Sequence, residues 1–121
     1  MGSSEIYAAV EEVPEIVDSL VVGYTDPAGN YCMPLFVVLE KGFLLDEALK
    51  SKIAKKIREA LSPRHVPDKI HAIDEVPCTL NGKKLEVPVI KILSGIPLEK
   101  AVNVDSMSNP QAIDYFVRLA G

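Results

Sequence analysis

The sequence predicts a small α+β domain in which helices pack on a mostly antiparallel sheet of about three main strands. Two apolar, β-branched runs, Val17 to Tyr24 and Tyr31 to Leu39, flank the turn-forming Asp26-Pro27-Ala28-Gly29-Asn30 and read as a β-hairpin. A segment from Leu45 to Leu61 places Leu45, Ala48, Leu49, Ile53, Ile57, Ala60 and Leu61 on one side and Lys50, Lys52, Lys55, Lys56, Arg58 and Glu59 on the other, the spacing of an amphipathic helix. A third strand over Lys69 to Ile73 and two later helical segments complete the order α-β-β-α-β-α-α, which layer packing resolves as α+β.

The opening helix follows from Ser3 or Ser4 as cap and from Ile6, Ala9, Val10 and Val13 on one face, with Pro14 disfavouring helical geometry just before it. In the second hairpin arm Pro34 cannot donate to a ladder, which moves that strand toward an edge or a bulge. The apolar stretches Leu20-Val21-Val22 and Leu35 to Leu39 predict a sheet covered on both faces in the middle. Ser62-Pro63 ends the long helix, and the connector to Lys69, with Pro63, Arg64, His65 and Pro67, is stiff. Pro88 suits the first position of a helix containing Val89, Ile90, Ile92 and Leu93, and Gly95 suits its end. Residues 97–107 read as an extended surface segment. Asn109-Pro110 starts a last helix with Ile113, Phe116, Val117, Leu119 and Ala120 inward.

With 121 residues, 48% hydrophobic and 25% charged, the chain is one globular domain, small for a complete multi-substrate enzyme. A net charge of -4 argues against general nucleic-acid binding. Cys32 and Cys78 have neither CxxC spacing nor a histidine pair, so no disulfide framework and no metal site is expected. No apolar run approaches the roughly 20 residues that span a bilayer, and the start has no signal-peptide pattern. The expected setting is therefore cytoplasmic and reducing, with no membrane partner.

Chemistry concentrates in Pro77-Cys78-Thr79-Leu80-Asn81-Gly82-Lys83-Lys84, a polar loop between a strand and a helix. It is not a phosphate loop of the Walker type, which needs glycine where Pro77 stands and Ser or Thr where Lys84 stands. On chemistry alone, a Gly-Lys pair in a turn is first a solvated hairpin tip and second a lysine able to reach into another surface. The basic face of the long helix is likewise either a solvated surface or, at Arg58, a place where a polyanion is met. His65 and His71 lack ligand spacing, and the adjacent carboxylates Glu11-Glu12 and Asp74-Glu75 point in different directions and read as surface charges.

Pro77-x-Thr79-x-x-Gly82-Lys83 resembles the lysine motif near the C-terminus of the adenylate-forming superfamily, which includes acyl-CoA synthetases, luciferases and peptide-synthetase adenylation domains. Gly2-Ser3-Ser4-Glu5-Ile6-Tyr7 resembles the segment after that family's interdomain hinge. Leu20-Val21-Val22-Gly23 followed by Pro34-Leu35-Phe36-Val37 resembles its hairpin. The resemblance covers most of the chain in order. It departs at Cys78 and Leu80, where common members have a lysine and an arginine, and at Glu86 and Val87, where they have basic residues.

The resemblance implies that residues 1–121 are a single C-terminal, mobile domain, with the N-terminal domain that binds ATP and the acyl group absent. It implies a ligase whose substrates are ATP, CoA and a carboxylic acid, with Mg2+ accompanying ATP on the absent domain. Lys83 would be the catalytic lysine of acyl-adenylate formation, Thr79 and Gly82 its loop, and Arg58 a contact for the nucleotide end of CoA. The domain would rotate between two half-reactions, and the fragment alone is expected to be inactive. The competing reading is a non-catalytic ligand-sensing or protein-interaction module.

Overall fold

The computed structural model describes residues 3–120, and of Ser3 only the backbone, so the expected Ser3 side-chain cap and Gly2 lie outside the described part. The chain forms α1 (Ser3–Val10), β1 (Ile16–Val21), β2 (Tyr24–Thr25), β3 (Tyr31–Cys32), β4 (Leu35–Leu39), α2 (Glu47–Ala60), β5 (Ile70–Ala72), α3 (Glu86–Leu93), α4 (Leu98–Ala101) and α5 (Asp114–Ala120). Short 3-10 turns lie at Pro63–His65, Val104–Ser106 and Pro110–Ile113. No helix among the described residues is long and apolar enough to cross a membrane.

The main sheet has the order β1-β4-β5, with β1 antiparallel and β5 parallel to β4, and β2 and β3 form a separate two-stranded ladder. Alternation along β4 creates two cores. Leu35 and Val37 face α1 and α2, packing with Ile6, Val10, Leu49, Ile53 and Ile57. Phe36 points the other way, toward Leu20, Val89, Ile92, Ile113 and Phe116. The expectation of a sheet covered on both faces is met, and it explains why β4 reads as an unbroken apolar run.

The expectation of an edge strand at Pro34 is corrected, because β4 is central. Pro34 stands one residue ahead of the ladder, so its missing N–H removes no rung; it divides the arm into β3 and β4 while its carbonyl accepts from Val22 N. The preceding turn closes on Asp26, whose carboxylate accepts from Asn30 N at 2.8 Å.

Helix α2 starts where Asp46 accepts from Leu49 N at 2.8 Å, two residues later than periodicity suggests, and Ala48 and Ala60 are exposed rather than inward. Helix α3 begins at Glu86, making Pro88 its third residue, where an absent N–H still costs no helical bond. It ends as expected at Gly95 (φ +102°), with Ile96 N bonding Lys91 O and Gly95 N bonding Ile92 O.

Two further expectations are overturned. Residues 97–107 are not an extended surface segment: they hold α4 and a 3-10 turn, and bury Ala101 and Met107 in the Phe36 core. The last helix buries Ile113 and Phe116, but Val117, Leu119 and Ala120 are exposed, because a 3-10 turn over 110–113 feeding α5 leaves one narrow stripe against α3.

Phe116 is fully buried, with its ring 4.8 Å from that of Phe36. Phe116→Ala should lower stability by about 3–5 kcal/mol, read as an earlier denaturant midpoint. His71 stacks on the other side of this group, 5.2 Å from Phe36. Burial first, then the neighbouring charges of Lys69 and Lys50, hold its imidazole pKa below the ordinary value. The unfolded chain therefore binds the proton more readily, so this contribution is present above about pH 6.5 and is lost as pH falls through the folded value. Denaturant midpoints measured between about pH 7.5 and 5.5 should fall for the parent and fall less for His71→Phe.

Candidate functional site

The lysine loop owes its shape to hydrogen bonds on both sides. Residues 77–80 run between two neighbours. Toward 83–85, Thr79 N donates to Lys83 O at 2.9 Å and Leu85 N to Pro77 O at 3.0 Å. Toward 106–109, Leu80 N donates to Ser106 O and Ser108 N to Cys78 O, each at 3.1 Å. Buried Asn109 completes the frame: its side-chain oxygen accepts from Cys78 N at 3.1 Å and its amide donates to Val76 O at 2.9 Å.

The tip is equally determined. Gly82 N bonds Thr79 O at 2.9 Å, closing a turn that leaves Gly82 at φ +82°. Space is open around an added Cβ there, so glycine is required by backbone conformation and not by crowding. The Thr79 hydroxyl accepts from Lys83 N at 3.1 Å, which fixes where the lysine leaves the turn. Thr79, Gly82 and Lys83 are thus held on one turn.

The two neighbouring lysines part company. Lys83 is exposed, and among the described residues no ion pair holds its ammonium. Lys84 turns inward: its ammonium lies 3.0 Å from Glu11 Oε2, 3.4 Å from Asp18 Oδ1 and 3.6 Å from the centre of the Tyr7 ring. The Tyr7 hydroxyl in turn bonds Glu86 and accepts from Val21 N at 3.1 Å. Burial, then the Glu86 bond, push the Tyr7 hydroxyl pKa well above its ordinary value, so it remains a proton donor.

Arg58 is not part of this cluster. It is exposed in the last turn of α2, which packs on the other side of β4, and no ion pair among the described residues engages it. A groove of about 540 Å³ along residues 98–104 includes none of the candidate residues. The two candidate cations are therefore separate, Lys83 on a rigid turn and Arg58 at a helix end, each available to an anion brought by another body.

Sequence reasoning missed Asn109, Tyr7 and Glu86. Asn109 serves positions 31 and 33 residues away, and Tyr7 meets Glu86 across 79 residues, so no local pattern announces either. Glu11 and Glu12 do point apart, one to Lys84 and the other to Lys56, but both are engaged in ion pairs.

The family described as AMP-binding enzyme C-terminal domain matches residues 5–83, a region that ends on Lys83 itself. Acetoacetyl-CoA synthetase of Caenorhabditis elegans is 41% identical over 98% of this chain, and acetoacetyl-coenzyme A synthetase of Rhizobium meliloti (strain 1021) is 39% identical over 98%. The chain spans 17% and 18% of the lengths of these two relatives. Acetoacetyl-CoA synthetase from Streptomyces lividans superposes with a TM-score of 0.92 at 49% identity, over 99% of this chain and 18% of that one. A Brucella canis acyl-CoA synthetase gives 0.62 at 28% identity over 69% of this chain. With its matched region running from α1 to the lysine at the turn tip, the chain belongs to the C-terminal domain family of AMP-binding enzymes.

Proposed function

We propose that this chain is the C-terminal, mobile domain of an AMP-forming acetoacetate–CoA ligase, working with an N-terminal domain that carries the ATP and acyl sites. The observation that carries the reading is Lys83, exposed and unpaired among the described residues, on a turn whose backbone is held on both sides. The names of the relatives, similar along nearly the whole chain, supply the substrate. A cytoplasmic setting belongs to the same reading.

In the first half-reaction a carboxylate oxygen of acetoacetate attacks the α-phosphorus of ATP, and the bond to the bridging oxygen breaks, giving acetoacetyl-adenylate and pyrophosphate. Negative charge gathers on the α-phosphoryl oxygens as this happens. The Lys83 ammonium can pair with those oxygens and with the carboxylate together, orienting the attack and offsetting the charge. Placement matters here, and the Thr79 hydroxyl on Lys83 N and the Gly82 turn provide it.

In the second half-reaction the CoA thiol, losing its proton, attacks the acyl carbon and AMP leaves. A domain that rotates as a body withdraws Lys83 and brings another face to the CoA channel. Arg58 fits that second role, since its guanidinium suits a phosphate and lies on an element separate from the lysine turn. Mg2+ would travel with ATP on the other domain, held chiefly by the phosphate oxygens.

Two substitutions in the longer protein test the reading. Lys83→Ala should slow acetoacetate-dependent pyrophosphate release by about 10²-fold or more, while transfer from supplied acetoacetyl-adenylate to CoA persists. Unchanged adenylation would overturn the assignment. Arg58→Ala should raise the KM for CoA by about tenfold, the equivalent of one charge-assisted hydrogen bond, and leave adenylation intact. Equal damage to both half-reactions would instead make Arg58 a docking or folding residue.

A further inference from the structure

Lys84, Tyr7 and Glu86 form a connected group on the side of the lysine turn that faces α1 and β1. Lys84 and, at the first position of α3, Glu86 both reach Tyr7, while Leu85 between them packs against the Phe36 core. Lys84 is held by two carboxylates and an aromatic face, with 26% of its side chain exposed. Glu11 is itself oriented, because the fully buried Ser19 hydroxyl donates to its Oε2 at 3.0 Å. Glu86 receives the Tyr7 hydroxyl, which is also anchored to Val21 of β1.

This is more than a surface ion pair, since a cation–π contact and two carboxylates converge on one ammonium and a buried hydroxyl holds one of those carboxylates. It ties the outgoing arm of the turn to the sheet, as residues 106–109 tie the incoming arm. It also engages the second ammonium with Glu11 and Asp18, leaving Lys83 as the cation that can extend from the tip.

We infer that Tyr7, Lys84 and Glu86 are a positioning clamp for Lys83: Lys84 does not meet the reacting anion but sets the place and reach of the ammonium beside it. The inference rests on the proposed role of Lys83. An error of about 1 Å in a catalytic group can cost on the order of 10²-fold, which is the scale the clamp controls.

The test uses the longer protein and measures both half-reactions for Lys83→Ala, Lys84→Met, Lys84→Arg and Tyr7→Phe. Lys84→Met removes the charge while keeping an unbranched side chain. It should lower kcat for adenylation by about 10- to 100-fold, with the KM for ATP and transfer from supplied adenylate within about threefold of the parent. Lys84→Arg keeps a cation for Glu11, Asp18 and the Tyr7 face and should restore most of the rate. Tyr7→Phe keeps the ring but drops the tie to Glu86, and should give a smaller loss of the same selective kind. Equal loss in both half-reactions, or no rescue by arginine, would make the group a folding element and overturn the inference. Full activity of Lys84→Met beside an inactive Lys83→Ala would overturn the clamp and leave the role of Lys83 standing. Full adenylation by Lys83→Ala would overturn both.

Discussion

The pairing of residues 77–80 on both edges is the constraint on which the rest of the structure depends. A five-residue loop carrying glycine and asparagine has many conformations open to it, and a lone turn in water would sample them. Here the incoming arm bonds 106–109 on one side and 83–85 on the other, so only the tip is left without a partner strand. The cost of ordering the loop is met once, during folding. The backbone beneath the lysine need not be ordered again when its ammonium meets an anion, so only the side chain's own freedom is then lost, which is the physical content of preorganisation here.

That frame in turn depends on both faces of β4 being filled. The Phe36 side holds α3 and α5 and, through Met107, the segment that pairs with Thr79. The Val37 side holds α1 and α2, and α1 brings Tyr7 and Glu11 to the outgoing arm. Loss of packing on either side would therefore reach the lysine turn through a different edge. The turn reports on the whole domain.

The separation of the two candidate cations, Arg58 and Lys83, follows from the same architecture. Arg58 ends a helix on the Val37 side, whereas Lys83 stands on a turn built mainly from the other core and its tail. A single rigid domain that must serve two reactions in sequence is well suited to carrying its groups on separate elements, because one rotation then exchanges one for the other without local refolding. In the proposed reading the small domain's stiffness is as important as its side chains.

Much of this was determined by the sequence alone. Apolar, β-branched runs on either side of a turn-forming stretch marked the hairpin, the 3.6-residue period marked α2, glycine marked the end of α3, and the register Gly82-Lys83 marked an exposed cation, since each depends on neighbours within a few residues and on fixed backbone preferences. Tertiary structure decided the remainder. Whether Pro34 lies at an edge, whether residues 97–107 lie on the surface, and whether Leu119 faces inward depend on which elements pack together. Lys83 and Lys84 are identical in type and adjacent in the chain, so only the arrival of Tyr7, Glu11 and Asp18 from more than sixty residues away distinguishes them. Local periodicity constrains the backbone of each element, but long-range polar partners are chosen by packing, and no short stretch of residues encodes that choice.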